Sequence, residues 1–439
     1  MTVSVPEGTT DHGTPNLICP PTQWFDIIVF FFINYLAHVF TLISSPGATP
    51  RELFLTGLAA LLVPASGIIR SFRWIFSHAA MCTENPVEQA IRAGAVCMLL
   101  REENIDPNGQ RDEKISGIFK NDRARIIPLD REIHGTFIPP KDTGDYHLVQ
   151  VPPNTPITEI TREAVSSIYH RRMKTSWDRM KSWVSRAVRE EEKLTPASST
   201  TPPKLADLYL PHTWNIVQLL VGLIQAVYGV NTLYKATDNQ IRHYGIAAFG
   251  LTVTPYAFMS LVNIVASILT PSYPAMYLMW TPDLERAKVK HGWQAEGYIA
   301  KLDVKKPRGE RSKIPFGYLD NQDLRSYLYK LSVCLSVVAP IAVNLGVSKA
   351  RLARENNQVD RIAWILLWLL SGVISPLYLQ YVERVFSGQW IRKKGNWSVV
   401  VFWFLYTSLL WVPGIGGMVH VGLMLEEYGA CTKLDFNPF

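Results

Sequence analysis

Long apolar runs alternate with polar segments along this chain, and the lengths of the runs are the first feature that predicts structure. Each run approaches the ~20 residues that a helix needs to cross ~30 Å of hydrocarbon. The runs are continuously apolar instead of alternating with a period of two, which favours helices over a membrane barrel. The pattern predicts an all-α transmembrane helical bundle. The runs occupy residues 24–43, 53–69, 214–234, 246–269, 328–347, 361–382 and 398–425.

A further apolar segment, residues 86–100, leaves the predicted number of spans between seven and eight. It reads PVEQAIRAGAVCMLL, is short for a span, and carries Glu88 and Arg92. Its length suits a re-entrant or interfacial helix as well as a crossing. In each case Pro86 after Asn85 marks the start of a helix.

The polar segments divide the chain into membrane and soluble parts. Residues 101–210 form a large mixed soluble insertion between early spans, and 271–327 form a second soluble loop on the same side, because two spans separate them. Within the insertion, 115–151 has the short apolar runs, Pro and Gly of a strand-and-turn element. The remaining parts are the tail 1–23, the first membrane helices at 24–100, two spans at 211–270, three spans at 328–425 and the tail 426–439.

A basic amphipathic helix is predicted at residues 165–193, where apolar residues recur at helical spacing among arginines and lysines. It either lies on an anionic membrane surface or packs on the soluble insertion. The stretch TPASSTTPPK at 195–204 is typical of a flexible linker into the next span.

The formal net charge of +7 bears on partners and orientation. A basic excess in a membrane protein marks its cytosolic face, and no nucleic-acid-binding motif accompanies it, so no nucleic-acid partner is predicted. The tail 1–23 lacks Lys and Arg, which favours the lumenal side for it. The bases at 384–394 would then be cytosolic and those at 349–361 lumenal, so the charges are divided. The absence of a cleavable signal and of lipidation motifs predicts the endoplasmic reticulum.

The cysteines and the missing motifs exclude several classes of site. Five cysteines are scattered without a CxxC pair, so we expect buried free thiols, no disulfide framework and no zinc site. The DDxxD, GxxxxGK[ST], HExxH and GxSxG motifs are missing, which argues against phosphate-driven pumps and hydrolases. No metal and no cofactor are predicted.

Carboxylates in or beside the apolar runs are the candidate catalytic residues, because ionisable groups in a span are costly and mark function by default. If 86–100 enters the membrane, Glu88 is a buried carboxyl that desolvation keeps protonated, which suits a general acid. Asp238 would lie beside bases at a membrane surface, with a solvated salt bridge as the alternative. Glu84 and Asp26 complete the set, and helix capping is the alternative for Glu84 and Glu88, which lie in or next to the first turn of the helix that starts after Asn85.

Polar and aromatic residues of two predicted spans are the candidate substrate-binding groups. Asn34 and His38 are i, i+4 neighbours on an aromatic-rich helix, so they form one polar stripe. Interhelical hydrogen bonding that holds the bundle together is the alternative. The other members are Trp24 and Tyr35 on the same run and Gln218, Gln225 and Tyr228 on the run 214–234.

The segments WFDIIVFFFINYLAHVFTLISSPG, ENPVEQAIRAGAVCMLLR, DNQIRHYGIAAFGLTVTPYAFMSLVN and LTPSYPAMYL resemble a family of poorly characterised multi-pass integral membrane proteins of filamentous fungi. The resemblance spans most of the chain and includes no diagnostic catalytic motif. It implies an association with secondary metabolism. It is also distantly reminiscent of membrane-bound terpene and epoxide cyclases, whose intramembrane carboxyls protonate an epoxide or alkene.

The resemblance implies a membrane-embedded, cyclase-like enzyme that acts on a lipophilic metabolite by acid initiation. Glu88 or Asp238 would supply the acid, and aromatic ring faces would stabilise carbocation charge. Membrane lipids and a lipophilic small-molecule substrate are the expected partners. A small-molecule transporter or channel is the first alternative, and a membrane receptor or scaffold is the second.

Overall fold

The computed structural model describes residues 7–11, 17–77, 79, 86–105, 125–140, 145–153, 155–158, 210, 212–213, 216, 219–227, 248–303, 322–347, 363–375, 397–428 and 432–433. The predictions made for Glu84, Gln218, Tyr228, Asp238 and residues 165–193 lie outside the described residues. Their structure is therefore left aside below.

The fold is mixed α/β, so the prediction of an all-α bundle is wrong. The strands are β1 (Leu17–Ile18), β2 (Val96–Arg101), β3 (Ile126–Ile127), β4 (Phe137–Ile138), β5 (Tyr146–Gln150), β6 (Ile157–Thr158), β7 (Tyr277–Trp280), β8 (Gln294–Ala295), β9 (Ala300–Leu302) and β10 (Thr432–Lys433). Six of them form one sheet in the order β3-β5-β2-β7-β9-β6, while β4 pairs with β8 and β1 with β10. The main sheet thus joins strands from both predicted soluble segments to a strand from the doubtful run 86–100.

Helices make up the rest of the described chain. They are α1 (Trp24–Phe31), α2 (Ala37–Val39), α3 (Pro50–Leu62), α4 (Pro64–Ile75), α5 (Pro86–Arg92), α6 (Glu102–Ile105), α7 (Ala248–Leu269), α8 (Pro282–His291), α9 (Gln322–Val347), α10 (Ala363–Ser375) and α11 (Trp397–Tyr428). A π-helical turn, Phe32–Leu36, joins α1 to α2. Residues 219–227 are also helical.

Residues 86–100 divide into a helix and a strand. Helix α5 begins at Pro86, as the sequence predicts, but β2 follows it in the middle of the sheet, antiparallel to β5 and parallel to β7. Residues 96–100 are fully buried. A strand covered on both faces reads as a continuous apolar run, so VCMLL resembles the end of a membrane helix. Residues 86–105, which are all described, contain no span.

Two helices of the described chain are long and apolar enough to cross a membrane, Phe249–Leu269 within α7 and Thr407–Glu427 within α11. This finding overturns the prediction of a multi-pass protein with seven or eight spans. The other apolar helical lengths are shorter: Trp24–Val39, Tyr327–Ala342 and Ala363–Ser375. These helical lengths are shorter than the apolar runs that predict them, because a run can also include a turn or a polar helix end. Hydropathy alone does not distinguish such residues from the apolar part of a helix.

Apolar side chains at helical spacing remain exposed on four of these helices. Contiguous apolar surface of this extent is stable in lipid and unstable in water. Together with the two candidate spans, it indicates that the protein associates with a membrane. The exposed residues include Leu261, Val265 and Ile268 on α7, Leu331, Leu335 and Val338 on α9, Leu367, Leu370 and Ile374 on α10, and Leu405, Leu409, Val412, Ile415, Val419 and Leu423 on α11.

The predicted span 53–69 is instead a hairpin of two helices. α3 and α4 meet at Val63, and their axes are bent by 119°. Pro64 opens α4; it has no N–H for the ladder of α3 and disfavours helical backbone at the residue before it. Val63 accordingly has φ −135° and ψ 86°. The apolar run therefore enters the helical layer and turns back.

The hairpin extends from the sheet to the middle of the helical layer. At its tip the Tyr256 hydroxyl donates to the Leu61 carbonyl, and Trp368 Nε1 donates to the Leu62 carbonyl at 2.7 Å. Just before its base, Arg131 from the loop between β3 and β4 donates to the Pro46 carbonyl at 2.9 Å. The open end of the hairpin consequently faces the sheet.

The helices also define two ends of the molecule. α1 and α2 run parallel to α7. The rings of Phe30 and Phe249 lie 5.7 Å apart, and about two to three turns further along both segments His38 Nδ1 lies 2.8 Å from Ser260 Oγ. α7 then leads into the sheet through β7. α11 runs the opposite way and returns to the start of α1, where β1 pairs with β10. The β1–β10 ladder is therefore at the end of the helical layer remote from the main sheet.

The cysteines depart from the prediction of free thiols at one position. Cys19, directly after β1, is disulfide-bonded. Cys97 and Cys334 carry free thiols. Burial in the middle of the sheet raises the pKa of the Cys97 thiol far above its usual value, so this cysteine has a packing role rather than a reactive one.

Candidate functional site

A cleft opens between α3 and α4, and we call it the hairpin cleft. Its volume of about 530 Å³ lies within the range of small-molecule pockets, ~300–1,000 Å³. Leu55, Ala59 and Ile69 form part of an apolar wall, and Pro128 closes one side from the loop after β3. The polar lining consists of Thr49, Arg51, Glu52, Thr56, Ser66, Arg70, Arg73 and Asp130.

Local sequence explains why the charged groups lie at the open end of the hairpin. The Thr49 hydroxyl caps α3 by accepting the Glu52 N–H at 3.2 Å, which fixes Arg51 and Glu52 in the first turn. Arg70 and Arg73 are i, i+3 neighbours near the end of α4, so they share a face. Because the hairpin reverses at Pro64, the start of α3 and the end of α4 come together.

Arg70 is the central polar group of the hairpin cleft. Its Nε donates to the Ile43 carbonyl at 3.0 Å, and its two terminal nitrogens donate to Thr56 Oγ1 at 3.3 Å and Ser45 Oγ at 2.7 Å. These neutral acceptors hold the guanidinium group in place without neutralising it. Among the described residues, no carboxylate forms an ion pair with Arg70.

The carboxylate nearest to this group is already engaged. Glu52 pairs with Arg131, whose side chain is largely buried. Burial lowers the pKa of Arg70, and the neighbouring Arg73 and Arg131 act in the same direction while Glu52 opposes them. Arg51 and Arg73 add two positive charges at the exposed mouth of the hairpin cleft, and Asp130 adds one negative charge to its lining.

The arrangement suits an anionic group attached to an apolar chain. A guanidinium group presents a planar fork of donors that matches phosphate or carboxylate, and its bonds to anions are roughly twice as strong as neutral ones. On the outer side of α3, Phe54 is 69% exposed and Leu58 is 40% exposed. The polar head of a ligand would lie at the arginines while its chain follows apolar surface.

The two predicted catalytic residues that the structure describes, Glu88 and Asp26, lie apart from each other. Glu88 is buried in α5 beside the sheet, where its carboxylate pairs with Arg92 at 2.8 Å. Asp26 lies in the first turn of α1 and accepts the Gln23 N–H at 2.9 Å, as a helix cap. Glu84 and Asp238 lie outside the described residues. Neither Glu88 nor Asp26 lines the hairpin cleft.

Most of the predicted binding residues that the structure describes join helices to one another. Tyr35 shares a hydrogen bond of 2.8 Å with Thr252, and Gln225 Nε2 donates to the Ala37 carbonyl at 2.7 Å. His38 is bonded to Ser260, and Asn34 Nδ2 donates to the Phe30 carbonyl of its own helix at 3.0 Å. The bonds of Tyr35, His38 and Gln225 join different helices, whereas that of Asn34 stays within one helix. Trp24, in contrast, is 73% exposed.

The arginines of the hairpin cleft were absent from the predicted site, although the sequence holds a signal for them. Arg51 and Arg70 flank the apolar run 53–69, and Pro64 interrupts this run. A proline inside a helical pattern ends or kinks the helix. A run broken at its middle can bring its two flanking arginines together, whereas an unbroken span would separate them across the membrane.

Comparison with known proteins assigns the chain to no family. No family model, no curated protein and no solved structure matches the chain. The resemblance to fungal membrane proteins stays an untested prediction, and functional assignment rests on the hairpin cleft.

Proposed function

We propose that this protein is a membrane-associated protein that binds a phosphate-bearing lipid in the hairpin cleft. The phosphate group contacts Arg70 and the flanking Arg51 and Arg73, and the acyl chains follow the apolar outer side of α3. The observation that carries the proposal is Arg70: a partly buried guanidinium fixed by three neutral acceptors, without a carboxylate partner among the described residues.

The cost of burying charge supports an anionic ligand. A guanidinium group withdrawn from water is destabilising unless an anion compensates it. Glu52 compensates Arg70 only in part, since it forms an ion pair with Arg131. A bound phosphate would add the compensation that Glu52 shares with Arg131.

Membrane association supports a lipid as the source of the phosphate. α7 and α11 contain the two candidate spans, and the apolar side of α3 is exposed beside the hairpin cleft. Electrostatic attraction and apolar burial therefore act on the same molecule only if it is an amphiphile. No described feature favours a further activity over lipid binding. Three activities remain predictions: catalysis on the bound lipid, transport and a receptor role.

The substitution Arg70→Gln tests the proposal. Loss of a charge-assisted contact costs about 1.5–3 kcal/mol, so the affinity for phosphatidic acid should fall by about tenfold or more. The full chain in detergent micelles is titrated with phosphatidic acid, with phosphatidylcholine as the neutral lipid. Lys290→Gln on α8 is the control, because that lysine is exposed and does not line the hairpin cleft.

Two further measurements separate the alternatives. Arg73→Gln removes an exposed guanidinium group, so it should weaken phosphatidic acid binding without lowering the melting temperature. A loss of binding in this variant therefore cannot be attributed to a folding defect, as it could be in Arg70→Gln.

Glycerol phosphate tests the source of the anion. Equal affinity for glycerol phosphate and phosphatidic acid would assign the site to a soluble phosphate, and unchanged phosphatidic acid binding by Arg70→Gln would contradict the proposal.

A further inference from the structure

The loop between β3 and β4, residues 128–136, borders the hairpin cleft, and we call it the strap. Backbone hydrogen bonds connect it to two other segments. The Glu132 N–H donates to the Gly47 carbonyl at 3.1 Å, and the Glu132 carbonyl accepts the Met276 N–H at 2.8 Å. Gly47 precedes α3, and Met276 directly precedes β7. The strap therefore lies between the base of the hairpin and the main sheet.

Gly47 allows the strap to approach the hairpin closely. Its φ of +62° lies in the left-handed region that favours glycine. A Cβ at this position would clash with the Glu132 carbonyl oxygen, which is backbone and cannot move aside. Arg131 adds a side-chain bond to the Pro46 carbonyl at 2.9 Å. These contacts fix the strap against the hairpin, so its side chains have defined positions at the hairpin cleft.

Asp130 is the acidic group that the strap contributes to the hairpin cleft. Its side chain is exposed, and no basic residue of the described chain forms an ion pair with it. Glu52, the other carboxylate of the lining, already pairs with Arg131. The cations that line the same cleft are Arg51, Arg70 and Arg73. The hairpin cleft therefore presents three guanidinium groups and one carboxylate to a ligand.

We propose that the hairpin cleft selects a phospholipid whose headgroup carries both a carboxylate and an ammonium group, as phosphatidylserine does. The proposal rests on the lipid binding proposed above. The phosphate pairs with Arg70, as in that proposal, and the headgroup carboxylate pairs with Arg51 or Arg73 at the exposed mouth. The ammonium group pairs with Asp130. Each charged group of the ligand thus meets a group of opposite charge.

Other headgroups leave a charge of the hairpin cleft without a partner. Phosphatidic acid has no cation, so its phosphate would meet the like charge of Asp130. An ethanolamine headgroup has no carboxylate for the arginines at the mouth. A glycerol headgroup donates only hydroxyl groups to Asp130 and leaves its negative charge uncompensated. Because specificity is a difference between affinities, Asp130 is the residue that sets the choice of headgroup.

Phosphatidylserine and phosphatidylglycerol form a suitable pair of probes, because both carry one net negative charge at neutral pH. The full chain in detergent micelles is titrated with each lipid, and the wild type should bind phosphatidylserine more tightly. Asp130→Asn should lower the ratio of the two affinities by up to about fivefold, which is the contribution of an exposed ion pair. A general electrostatic effect would act on both lipids equally and would cancel in the ratio. Glu132→Gln is the matched control, because that glutamate is exposed on the strap and does not line the cleft.

The results distinguish headgroup selection from lipid binding itself. Arg70→Gln should weaken the binding of both lipids. If it does so while Asp130→Asn leaves the ratio unchanged, headgroup selection is overturned and the lipid site stands. Equal affinity of the wild type for the two lipids would overturn the selection as well. Unchanged binding of both lipids by Arg70→Gln would overturn the site itself. Glycerophosphoserine has the same headgroup without acyl chains, and binding as tight as that of phosphatidylserine would overturn a lipid as the ligand.

Discussion

Glu88 and Arg92 show how strongly the surroundings of a residue decide its role. The two side chains are 10% and 2% exposed and pair at 2.8 Å within α5, one helical turn apart. In a membrane span such a carboxyl would suit acid catalysis, but beside the sheet it is the hydrogen-bonded partner of a buried guanidinium group. Removal of one member of such a pair leaves the other charge buried without compensation.

The substitution Glu88→Gln separates these two roles. Removing one partner of a buried ion pair leaves the other charge without compensation, so we expect a loss of about 3–5 kcal/mol in the free energy of unfolding. Thermal unfolding in detergent measures it as a lower midpoint. Glu103→Gln is the control, because Glu103 pairs with Arg101 while 55% exposed, and the change should stay within about 0.5 kcal/mol. An unchanged midpoint for Glu88→Gln would show that the pair is not structural.

At the scale of elements, the hairpin depends on a close approach between its tip and α11. A Cβ added at Gly414 would lie 2.6 Å from the Leu62 carbonyl oxygen, which is backbone and cannot move aside. The absence of a side chain at Gly414 thus lets α11 cover the turn at Val63, where the interruption of the helix leaves carbonyls that need partners.

Gly414→Ala should therefore displace the hairpin tip. Overpacking of this kind costs about 1–3 kcal/mol, whereas the higher helix propensity of alanine acts in the stabilising direction by up to ~1 kcal/mol. Gly422→Ala in the same helix shares the gain in propensity without the clash, since its Cβ would lie 3.8 Å from the Phe31 ring. We expect a lower melting midpoint and weaker phosphatidic acid binding only for Gly414→Ala. Equal midpoints for the two variants would argue against the close approach.

The sequence predicts those elements whose apolar pattern is compatible with only one type of secondary structure. The runs 246–269 and 398–425 correspond to α7 and α11, and Pro86 correctly marked the start of α5. Hydropathy could not distinguish a buried central strand from a membrane helix at 96–100, because both are continuously apolar. For the candidate site, the apolar pattern predicts one span that continues across Pro64. In such a span Arg70 lies at the end of the helix and far from Arg51, so the sequence does not indicate that the two lie in one site. The contacts of Arg70 also depend on Ile43 and Ser45, whose proximity no local pattern reveals.

The whole molecule combines a sheet and a helical layer that differ in the solvent they require. Buried apolar clusters cover both faces of the sheet and fill the space between the hairpin, α7 and α11. The outer sides of the helices are apolar, while α8 beside the sheet carries charged residues at both ends. The sheet therefore suits water and the outer sides of the helices suit lipid, while the β1–β10 ladder lies at the end of the helical layer remote from the sheet.

This arrangement predicts opposite labelling of two engineered cysteines. Val289 on α8 is 82% exposed, and Glu7 is exposed in the tail before β1. In sealed vesicles a membrane-impermeant maleimide should label only one of the two variants, because the sheet and the β1–β10 ladder lie at opposite ends of the helical layer. The other variant should react only after the membrane is permeabilised, and the wild-type chain gives the background from its native thiols. If both variants react equally in sealed vesicles, the ladder and the sheet share one side, and α11 lies within the membrane surface instead of crossing it.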